Sequence, residues 1–521
     1  MTRLKILWVT AFTALSVILI EILYTRLFSA IYFSSFAFFI ISLALFGTGL
    51  SGLQFSLIRG KPRFRTEHYI LLFALSLPLI LKLTLIVKID FLNLFTSPVN
   101  LIFLMINFLA LILPFFLGGA VLVRIFAENS QQIGKLYFYD LAGAAFGSLL
   151  IIPLISGTGP MKAILIISIL LIITWYLISE AEAKTRVLTS IMLILLFSAG
   201  IYFSGDLFKL IPKIEKRDYT NDLRKGRIEH SKWSPINKID VATFFKRKKV
   251  VWLDAGTQQS YLVKPPVPVE QMGPIEYNQS AIPYQLAKSG AALIIGSAGG
   301  YEVLCAYTNN FKPVFAVEMD PEICDIVENS YSEYLGDLFK KREVRVINDE
   351  GRHVLRKLKR KYNVIQMVNS HNSNIILSGG LSFSETYIYT VESFKDYWNH
   401  LNDDGFLSII HMFGERMFTT ALQALKEMGV EDPEKKFYVL QPPKGFNYFF
   451  MKKGDLNSAD IEKLEKFSRK KNVAFSPFME LDNVYYDLAG PDFEKTISNS
   501  SVNISPVYDN SPYFNQPNKI G

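Results

Sequence analysis

Glycines and a carboxylate with the spacing of a nucleoside-binding site occur between Ala291 and Asp320. Two apolar runs flank a loop and a helical stretch, and the second run ends on Glu318, about 22 residues beyond the first glycine. The glycines of the loop are Gly296, Gly299 and Gly300. Backbone N–H groups at a helix N-terminus favour a polar or anionic ligand group, and a carboxylate at this distance can accept ribose hydroxyls. The pattern predicts a nucleoside site. The alternative is a tight turn that binds nothing, since G-S-A-G-G lacks the middle glycine of G-x-G-x-x-G.

Polar residues also follow the next two predicted strands, 344–348 and 363–368. Those after the third strand are Asp349, Glu350 and Gly351, and those after the fourth include Asn369 and His371. Ligands of doubly wound sheets bind beyond the carboxyl ends of the strands, where an acidic side chain can accept from an exocyclic adenine amine. Two alternatives stay open. Glu350 could be a helix N-terminal charge that complements the macrodipole, and His371 a loop histidine without a catalytic role.

The elements that must position these residues make up the half of the chain after residue 205. Four short alternating runs between residues 226 and 263 predict a small β-ribbon, and a proline-rich link, 265–274, separates it from the rest. Five later runs, 291–295, 314–317, 344–348, 363–368 and 406–412, alternate with helical stretches. Two more, 437–440 and 448–451, predict a closing hairpin. This spacing predicts a mainly parallel, doubly wound sheet.

The half before residue 205 is apolar enough for a membrane. Seven stretches are candidates for spans: 6–24, 30–58, 69–88, 100–124, 137–155, 161–179 and 187–204. The basic loop 59–65 and the basic N-terminus predict a cytoplasmic start by the positive-inside rule. Seven crossings would then put the C-terminal half outside the cell, where nucleoside cofactors are scarce. The weakest candidate is 137–155, which carries Asp140 and a run of glycine and alanine, and could instead be re-entrant or packed inside the bundle.

Charged residues at membrane depth are energetically unfavourable, which makes Glu21, Arg26 and Asp140 candidates for a functional pocket. The alternative is structural: Arg26 snorkels, Asp140 lies at the interface, and a neighbouring helix satisfies Glu21. Gly47, Gly49 and Gly52 indicate close helix packing.

Composition excludes several classes of function. The formal charge of +8 comes from membrane-flanking loops and scattered surface runs, so we do not predict nucleic-acid binding. Two cysteines favour a reducing compartment over a disulfide framework. The sequence has no metal-ligand spacing of His or Cys, no G-x-x-x-x-G-K phosphate loop and no G-x-S-x-G elbow.

Several ordered motifs resemble the membrane-fused spermidine synthase-like proteins, within the aminopropyltransferase and class I S-adenosylmethionine-dependent methyltransferase superfamily. The motifs are Glu21 with Thr25-Arg26, the glycines of the second span, YFYDLAGAAFGS, HSKWSPINKIDV, LDAGT, GSAGGYEVL, VEMDP, NDEGRHVLRKL, LSFSETYIYTVESF and YDNSPYF. The resemblance covers nearly the whole chain. It implies a multi-domain chain: an all-α transmembrane bundle (1–205), a small β-strand subdomain (206–264) and a Rossmann-like domain (265–521).

The resemblance also implies a cofactor, S-adenosylmethionine or its decarboxylated form. By this resemblance, the amino-acid and ribose part of the cofactor would be lined by Gly296, Ser297, Gly299 and Gly300. Glu318 would take the ribose hydroxyls, and Asp349 or Glu350 with Gly351 would meet the adenine. Spermidine synthases carry a catalytic aspartate just after the fourth strand, whereas this chain has Asn369 there, and an amide is no general base near neutral pH. His371 or Glu385 could supply a base from a neighbouring position.

Two functions follow as expectations. The first is a membrane transferase that moves a methyl or aminopropyl group to an amine or another nucleophile, with a cytoplasmic catalytic domain and an amphiphilic or small amine acceptor. The second is a non-catalytic domain that senses a nucleoside or polyamine and gates a transporter-like bundle. The expected partners are the lipid bilayer and the small-molecule acceptor, without nucleic acid, and a homodimer stays open.

Overall fold

The computed structural model describes residues 3–32, 36–57, 64–87, 89, 96–212, 216–244, 248–276, 278–368, 385–443, 445–468, 472–516 and 518–519. These form two compact units. The helical unit comprises Met1–Arg224 with Ser231–Lys238, and the sheet unit comprises Lys225–His230 with Ile239–Gly521. The three-domain boundaries from the sequence stay a prediction.

The helical unit contains six helices that are long and apolar enough to cross a membrane, among the residues that the structure describes. They are α1 (Arg3–Ile31), α2 (Phe36–Leu57), α3 (Thr66–Ile86), α4 (Pro98–Glu128), α5 (Ile133–Ile178) and α6 (Ala183–Tyr202). Two short helices follow, α7 (Ser204–Leu207) and α8 (Arg217–Arg224). The predicted helical N-terminal half is thus confirmed.

The fifth helix combines two of the predicted stretches. Gly159 has φ 72° and ψ 164°, which are not helical values, and Pro160 follows it. Glycine tolerates this backbone conformation, whereas proline cannot donate the hydrogen bond that would continue the helix. Helix α5 therefore consists of a segment before Gly159 and a segment after it. The first segment contains the uncertain stretch 137–155, which is continuous helix.

Contacts inside the helical unit give the relative directions of the helices. A Cβ on Gly143 would lie 2.2 Å from the carbonyl oxygen of Ala11, and one on Gly147 would lie 3.1 Å from that of Leu15. The rings of Trp8 and Tyr139 are 5.9 Å apart, in the same register. Because both sequences advance together, α1 and the first segment of α5 run parallel.

The second segment of α5 runs back. The backbone N–H of Glu180, just after this segment, donates to Glu67 Oε2 at 2.6 Å, and Arg65 Nη1 donates to Glu180 Oε2 at 2.6 Å. Since Glu67 lies in the first turn of α3, the end of α5 meets the start of α3. At the opposite end of α3, the Lys82 ammonium donates to the Leu207 carbonyl just beyond α6.

The structure contains two sheets, whose residues belong to the sheet unit except for 231–233 and Lys238, which belong to the helical unit. The smaller one has the order β1-β2-β3-β4, with strands β1 (Ile228–Trp233), β2 (Lys238–Thr243), β3 (Lys249–Leu253) and β4 (Gln258–Leu262). All four match the predicted β-ribbon.

The larger sheet has eight strands in the order β12-β10-β11-β9-β8-β5-β6-β7. The strands are β5 (Ala292–Ile295), β6 (Val314–Glu318), β7 (Val344–Asn348), β8 (Tyr362–Val368), β9 (Leu401–His411), β10 (Phe437–Leu440), β11 (Asn447–Lys452) and β12 (Val473–Phe475). Strands β9, β8, β5, β6 and β7 pair in parallel, and β10 to β12 are antiparallel. The parallel core and its hairpin are as predicted, whereas β12 was not predicted because three residues give too short a pattern.

The helices of the sheet unit are α9 (Ile282–Leu286), α10 (Tyr301–Thr308), α11 (Pro321–Asp325), α12 (Gly351–Leu358), α13 (Val391–His400), α14 (Gly414–Glu427), α15 (Ser458–Ser468), α16 (Val484–Ala489) and α17 (Phe493–Asn499). Alternate residues of β5 enter two different hydrophobic cores: Leu293 and Ile295 enter one, and Ala292 and Ile294 the other. Both faces of the parallel sheet are therefore covered, which is why its strands read as unbroken apolar runs.

Candidate functional site

A cavity of about 730 Å³ lies at the carboxyl ends of the parallel strands of the sheet unit. Its lining includes Ile295 and Gly296 at the end of β5, Glu318 at the end of β6, and Met367 and Val368 at the end of β8. The chain runs from β5 through β6 to β7 on one side, and β8 returns to the other side of β5. The cavity thus occupies the switch point of the strand order, where open α/β sheets bind their ligands.

Some residues of the glycine loop line the cavity, and others pack against neighbouring elements. Gly296, with φ 74°, and Ala298 line the cavity. Gly299 instead contacts β4, since its Cβ would lie 2.0 Å from the Tyr261 carbonyl oxygen, and its own carbonyl accepts from the Val263 N–H at 2.9 Å. Of the loop residues, Gly296 and Ala298 therefore line the cavity, whereas Gly299 packs on β4.

The last two predicted loop residues are packed. Ser297 is 1 % exposed, and its N–H donates to the Val317 carbonyl at 3.0 Å. Gly300 precedes α10 with φ 87°, and a Cβ there would lie 2.7 Å from the ring of Phe339. A role of these residues in cofactor binding stays a prediction.

Glu318 ends β6 with its carboxylate in the cavity wall, 9 % exposed. Oε2 accepts from the Ala298 N–H at 3.2 Å and Oε1 accepts from the Asp320 N–H at 3.1 Å. Burial raises the pKa of Glu318 to about 7. A carboxylate has about four acceptor positions, so two backbone donors leave capacity for two hydroxyl groups.

The acidic pair after β7 is held by α12. Glu350 caps this helix by accepting from the N–H groups of Arg352 at 3.0 Å and His353 at 2.8 Å. Glu350 is thus a helix N-terminal charge that also lines the cavity, and its role toward a ligand stays a prediction. Asp349 lies 2.8 Å from Nδ1 of His353, and this hydrogen bond lowers the pKa of Asp349.

Gly351 also lines the cavity. A Cβ at this position would lie 2.4 Å from Cγ2 of Ile295, so the start of α12 packs directly against the end of β5. This close approach brings the acidic pair beside the glycine loop.

Of the three candidate catalytic residues, only Glu385 lies in the described part of the chain. It lines the cavity and accepts a hydrogen bond from the Tyr387 hydroxyl at 3.1 Å. Asn369 and His371 lie outside the described residues. The structure thus brings Glu385 to the same cavity as Gly296, Glu318 and the acidic pair.

Three charged lining residues had no role assigned from the sequence: Arg352, Arg356 and Asp509. They belong to two motifs noted above, NDEGRHVLRKL and YDNSPYF, so the motifs were the available signal. Nothing local in the sequence places Asp509, about 160 residues after β7, in the same wall. Within the described residues no cluster of three His, Cys, Asp or Glu could hold a metal ion.

Carboxylates outnumber arginines among the charged residues of the cavity lining. Glu318, Glu350 and Glu385 have no cationic side chain as an ion-pair partner among the described residues. Together with the apolar residues Ile295, Ile323 and Met367, this lining suits a ligand with an aromatic part and a positive charge.

No family model matches this chain, and no curated protein matches it. Solved structures give distant likenesses. A spermidine synthase in complex with the transition state analogue AdoDATO has a TM-score of 0.33 and 16% identity, covering 52% of this chain and 87% of its own. Spermidine synthase from Thermotoga maritima has the same score and identity, with 52% and 88% coverage. A probable spermidine synthase from Corynebacterium glutamicum has a TM-score of 0.33 and 13% identity, with 46% and 86% coverage.

Proposed function

We propose that the sheet unit is a transferase that binds S-adenosylmethionine or its decarboxylated form and moves a methyl or aminopropyl group to an amine or another nucleophile. The observation that carries this proposal is the cavity at the switch point of the parallel strands, with Gly296 on one strand end and the Glu318 carboxylate on the next. That arrangement suits a nucleoside whose ribose hydroxyls donate to a carboxylate.

The acidic lining supports the choice of a sulfonium nucleoside. The sulfonium group of S-adenosylmethionine carries a permanent positive charge. Decarboxylated S-adenosylmethionine carries a second positive charge on its ammonium group. Glu318, Glu350 and Glu385 line the cavity, so a cation in this space lies in an attractive potential. A nucleoside triphosphate, by contrast, would be repelled by the same carboxylates.

The proposed reaction is a displacement at carbon. The nucleophile's lone pair forms a bond to the carbon attached to sulfur, the carbon–sulfur bond breaks, and its electron pair stays on sulfur as a neutral thioether. The attacking amine then loses a proton to a base. Glu385 is our candidate for that base because its carboxylate lies in the cavity wall. Asn369 and His371 stay candidates from the sequence. The enzyme's main task is to hold nucleophile, carbon and sulfur in line.

The acceptor and the membrane are also part of the proposal. Fusion to a helical unit suits an amphiphilic or membrane-delivered amine as acceptor, with the bilayer as partner. Because the cofactor is made in the cytoplasm, the transferase function requires the sheet unit to be cytoplasmic. A homodimer stays open for the assembled protein.

Labelled cofactors test the proposal directly. The purified full chain would be incubated with either adenosyl compound, labelled on the transferred group, and a panel of polyamines and amine lipids. Transfer of label to one acceptor is the expected result. The nucleoside product distinguishes the reactions, since methyl transfer leaves S-adenosylhomocysteine and aminopropyl transfer leaves 5′-methylthioadenosine. Binding without turnover would favour the sensing domain instead, and the absence of binding of either adenosyl compound would exclude the transferase.

A further inference from the structure

The residues of the motif YDNSPYF were assigned no role from the sequence. Residues 504–516, here called the C-terminal strap, lie against residues 385–391, here called the 385–391 wall, of which 385–389 line the cavity. The Thr386 N–H donates to the Pro512 carbonyl at 2.8 Å, and the Val391 N–H donates to the Val507 carbonyl at 2.7 Å. Asp509 of the strap itself lines the cavity. The strap is therefore a second layer behind this wall and, at Asp509, part of the wall.

Arg352 connects the strap to the opposite side of the cavity. It is the second residue of α12, immediately after Glu350 and Gly351, which both line the cavity. Its side chain is 7 % exposed; Nη1 donates to Asp509 Oδ1 at 2.7 Å and Nε donates to Asp396 Oδ2 at 2.7 Å. One buried guanidinium thus joins the start of α12, helix α13 and the strap.

The Asp509 carboxylate is fixed by more than the arginine. Thr390 Oγ1 donates to the same Oδ1 at 2.7 Å, and the Asp509 N–H donates to Glu392 Oε2 at 3.0 Å. Although burial disfavours its charged form, the hydrogen bonds from Arg352 and Thr390 lower the pKa of Asp509. The carboxylate is therefore ionised and oriented at neutral pH.

A second buried arginine holds the far end of the strap. Arg416 is 7 % exposed and donates from Nη1 to the carbonyls of Tyr513 at 3.0 Å, Phe514 at 2.8 Å and Gln516 at 2.8 Å. The Phe514 ring packs 5.0 Å from that of Tyr389, a residue of the cavity wall. Arg416 does not line the cavity, so its contribution is to docking of the strap.

We propose that the C-terminal strap is an integral part of the nucleoside site and that Arg352 is the positioning residue that joins it to the start of α12. This inference rests on the proposed function. It predicts that ligand binding and strap docking are coupled, because the strap, the start of α12 and the 385–391 wall enclose one cavity. A strap with only a structural role would be docked equally with and without ligand.

Hydrogen exchange on the wild-type full chain tests the coupling without any substitution. Saturating S-adenosylhomocysteine or 5′-methylthioadenosine should slow amide exchange in residues 504–516. Unchanged exchange in the strap despite measurable binding by calorimetry would overturn the inference. If calorimetry showed that neither compound binds the wild-type protein, both the proposed function and this inference would fail. Calorimetry therefore distinguishes failure of the proposed function from failure of the inference alone.

Substitutions then identify the positioning residue. Arg352→Met should weaken nucleoside binding about tenfold or more, because α12 and the strap lose their shared donor. Arg352→Lys should recover part of the affinity, since an ammonium can reach one of the two carboxylates. Asp509→Asn, which keeps the shape of the side chain, should weaken nucleoside binding about threefold to tenfold. This variant tests the same contact if the arginine variants do not fold.

Lys452→Met is the matched control. Lys452 is a buried cation of the same unit, 5 % exposed and paired with Asp460 at 2.7 Å, but it does not line the cavity. Its loss should lower the unfolding temperature and leave nucleoside affinity unchanged. Equal affinity in wild type, Arg352→Met and Asp509→Asn would overturn the positioning role.

Discussion

The proposed binding role of the Glu318 carboxylate conflicts with the stability of the fold. As a buried carboxylate it raises the free energy of the folded state when it is ionised, and as the proposed acceptor for ribose hydroxyls it must be ionised to bind. Buried ionisable groups that destabilise the folded state are often found at functional sites.

The first consequence is a pH dependence of binding. Since burial raises the pKa of Glu318 to about 7, nucleoside affinity should fall about tenfold between pH 8 and pH 6, as the carboxylate becomes protonated. Calorimetric titration with an uncharged adenosine thioether across this range would measure it. An affinity that is independent of pH would contradict the proposed role.

A second consequence concerns stability. The folded-state pKa lies above the ordinary value of 4.5, so the stability associated with protonated Glu318 is lost as pH rises from about 4.5 through 7. Glu318→Gln should therefore raise the free energy of unfolding at pH 8 by about 3 kcal/mol while abolishing the pH dependence of nucleoside binding. Thermal unfolding at pH 4 and pH 8 gives the comparison, with the difference between variant and wild type expected to be small at pH 4, below the ordinary pKa.

Gly299 is a residue whose role is packing. Gly299→Ala should destabilise the sheet unit by about 1–3 kcal/mol, because the new Cβ would lie 2.0 Å from the Tyr261 carbonyl oxygen, a backbone atom. Gly273→Ala is the control, as a Cβ there meets nothing within 4 Å. Equal unfolding temperatures for the two variants would show that β4 and the glycine loop are not in close contact.

At the scale of elements, the glycine and alanine run on α5 has a clear explanation. Gly143 and Gly147 let the backbone of α5 approach that of α1, which is how small residues spaced by four stabilise helix pairs in membranes. The stretch 137–155 is therefore continuous helix that packs closely against α1 along its glycine side.

Substitution of one glycine tests this helix pair. Gly143→Ala should lower the stability of the helical unit in detergent by about 1–3 kcal/mol, because its Cβ would lie 2.2 Å from the Ala11 carbonyl oxygen. Gly157→Ala on the same helix meets nothing within 4 Å and should be neutral or slightly stabilising. If both substitutions had the same effect, the close approach would be refuted.

At the scale of the whole molecule, the directions of the helices predict how the chain would cross a bilayer. Helix α1 and the first segment of α5 run parallel, and the second segment of α5 returns to the start of α3. With α6 following, the described helical segments predict seven crossings of a membrane. The end of α6 would then lie at the face opposite to the N-terminus of α1 and to the start of α3.

Cysteine labelling tests this arrangement. Ser130→Cys, between α4 and α5, and Gly205→Cys, just after α6, should react with a membrane-impermeant maleimide from opposite sides of the membrane. Both native cysteines are buried and should give little background. Labelling of both positions from the same side would refute seven traverses. If Gly205→Cys reacted from outside intact cells, the basic loops would be cytoplasmic as the positive-inside rule requires, and the transferase proposal would lose its source of cofactor.

The sequence by itself determined the elements, because their patterns are local. Apolar runs of membrane length predicted the helical half, and buried strands covered on both faces appear as unbroken apolar runs, so β5 to β9 were predicted within a few residues. The spacing of Gly296 and Glu318 likewise predicted two strand ends that meet at one edge of the sheet.

Only the tertiary structure decided which distant residues share a wall and in which direction each helix runs. Asp509 meets Arg352, and Gly143 meets Ala11, through packing between elements that are far apart in the chain. Tertiary structure also separated Gly296, which lines the cavity, from Gly299, which packs on β4. The local sequence pattern cannot distinguish these two glycines, because both belong to the same loop. They differ only in which distant part of the chain packs against them.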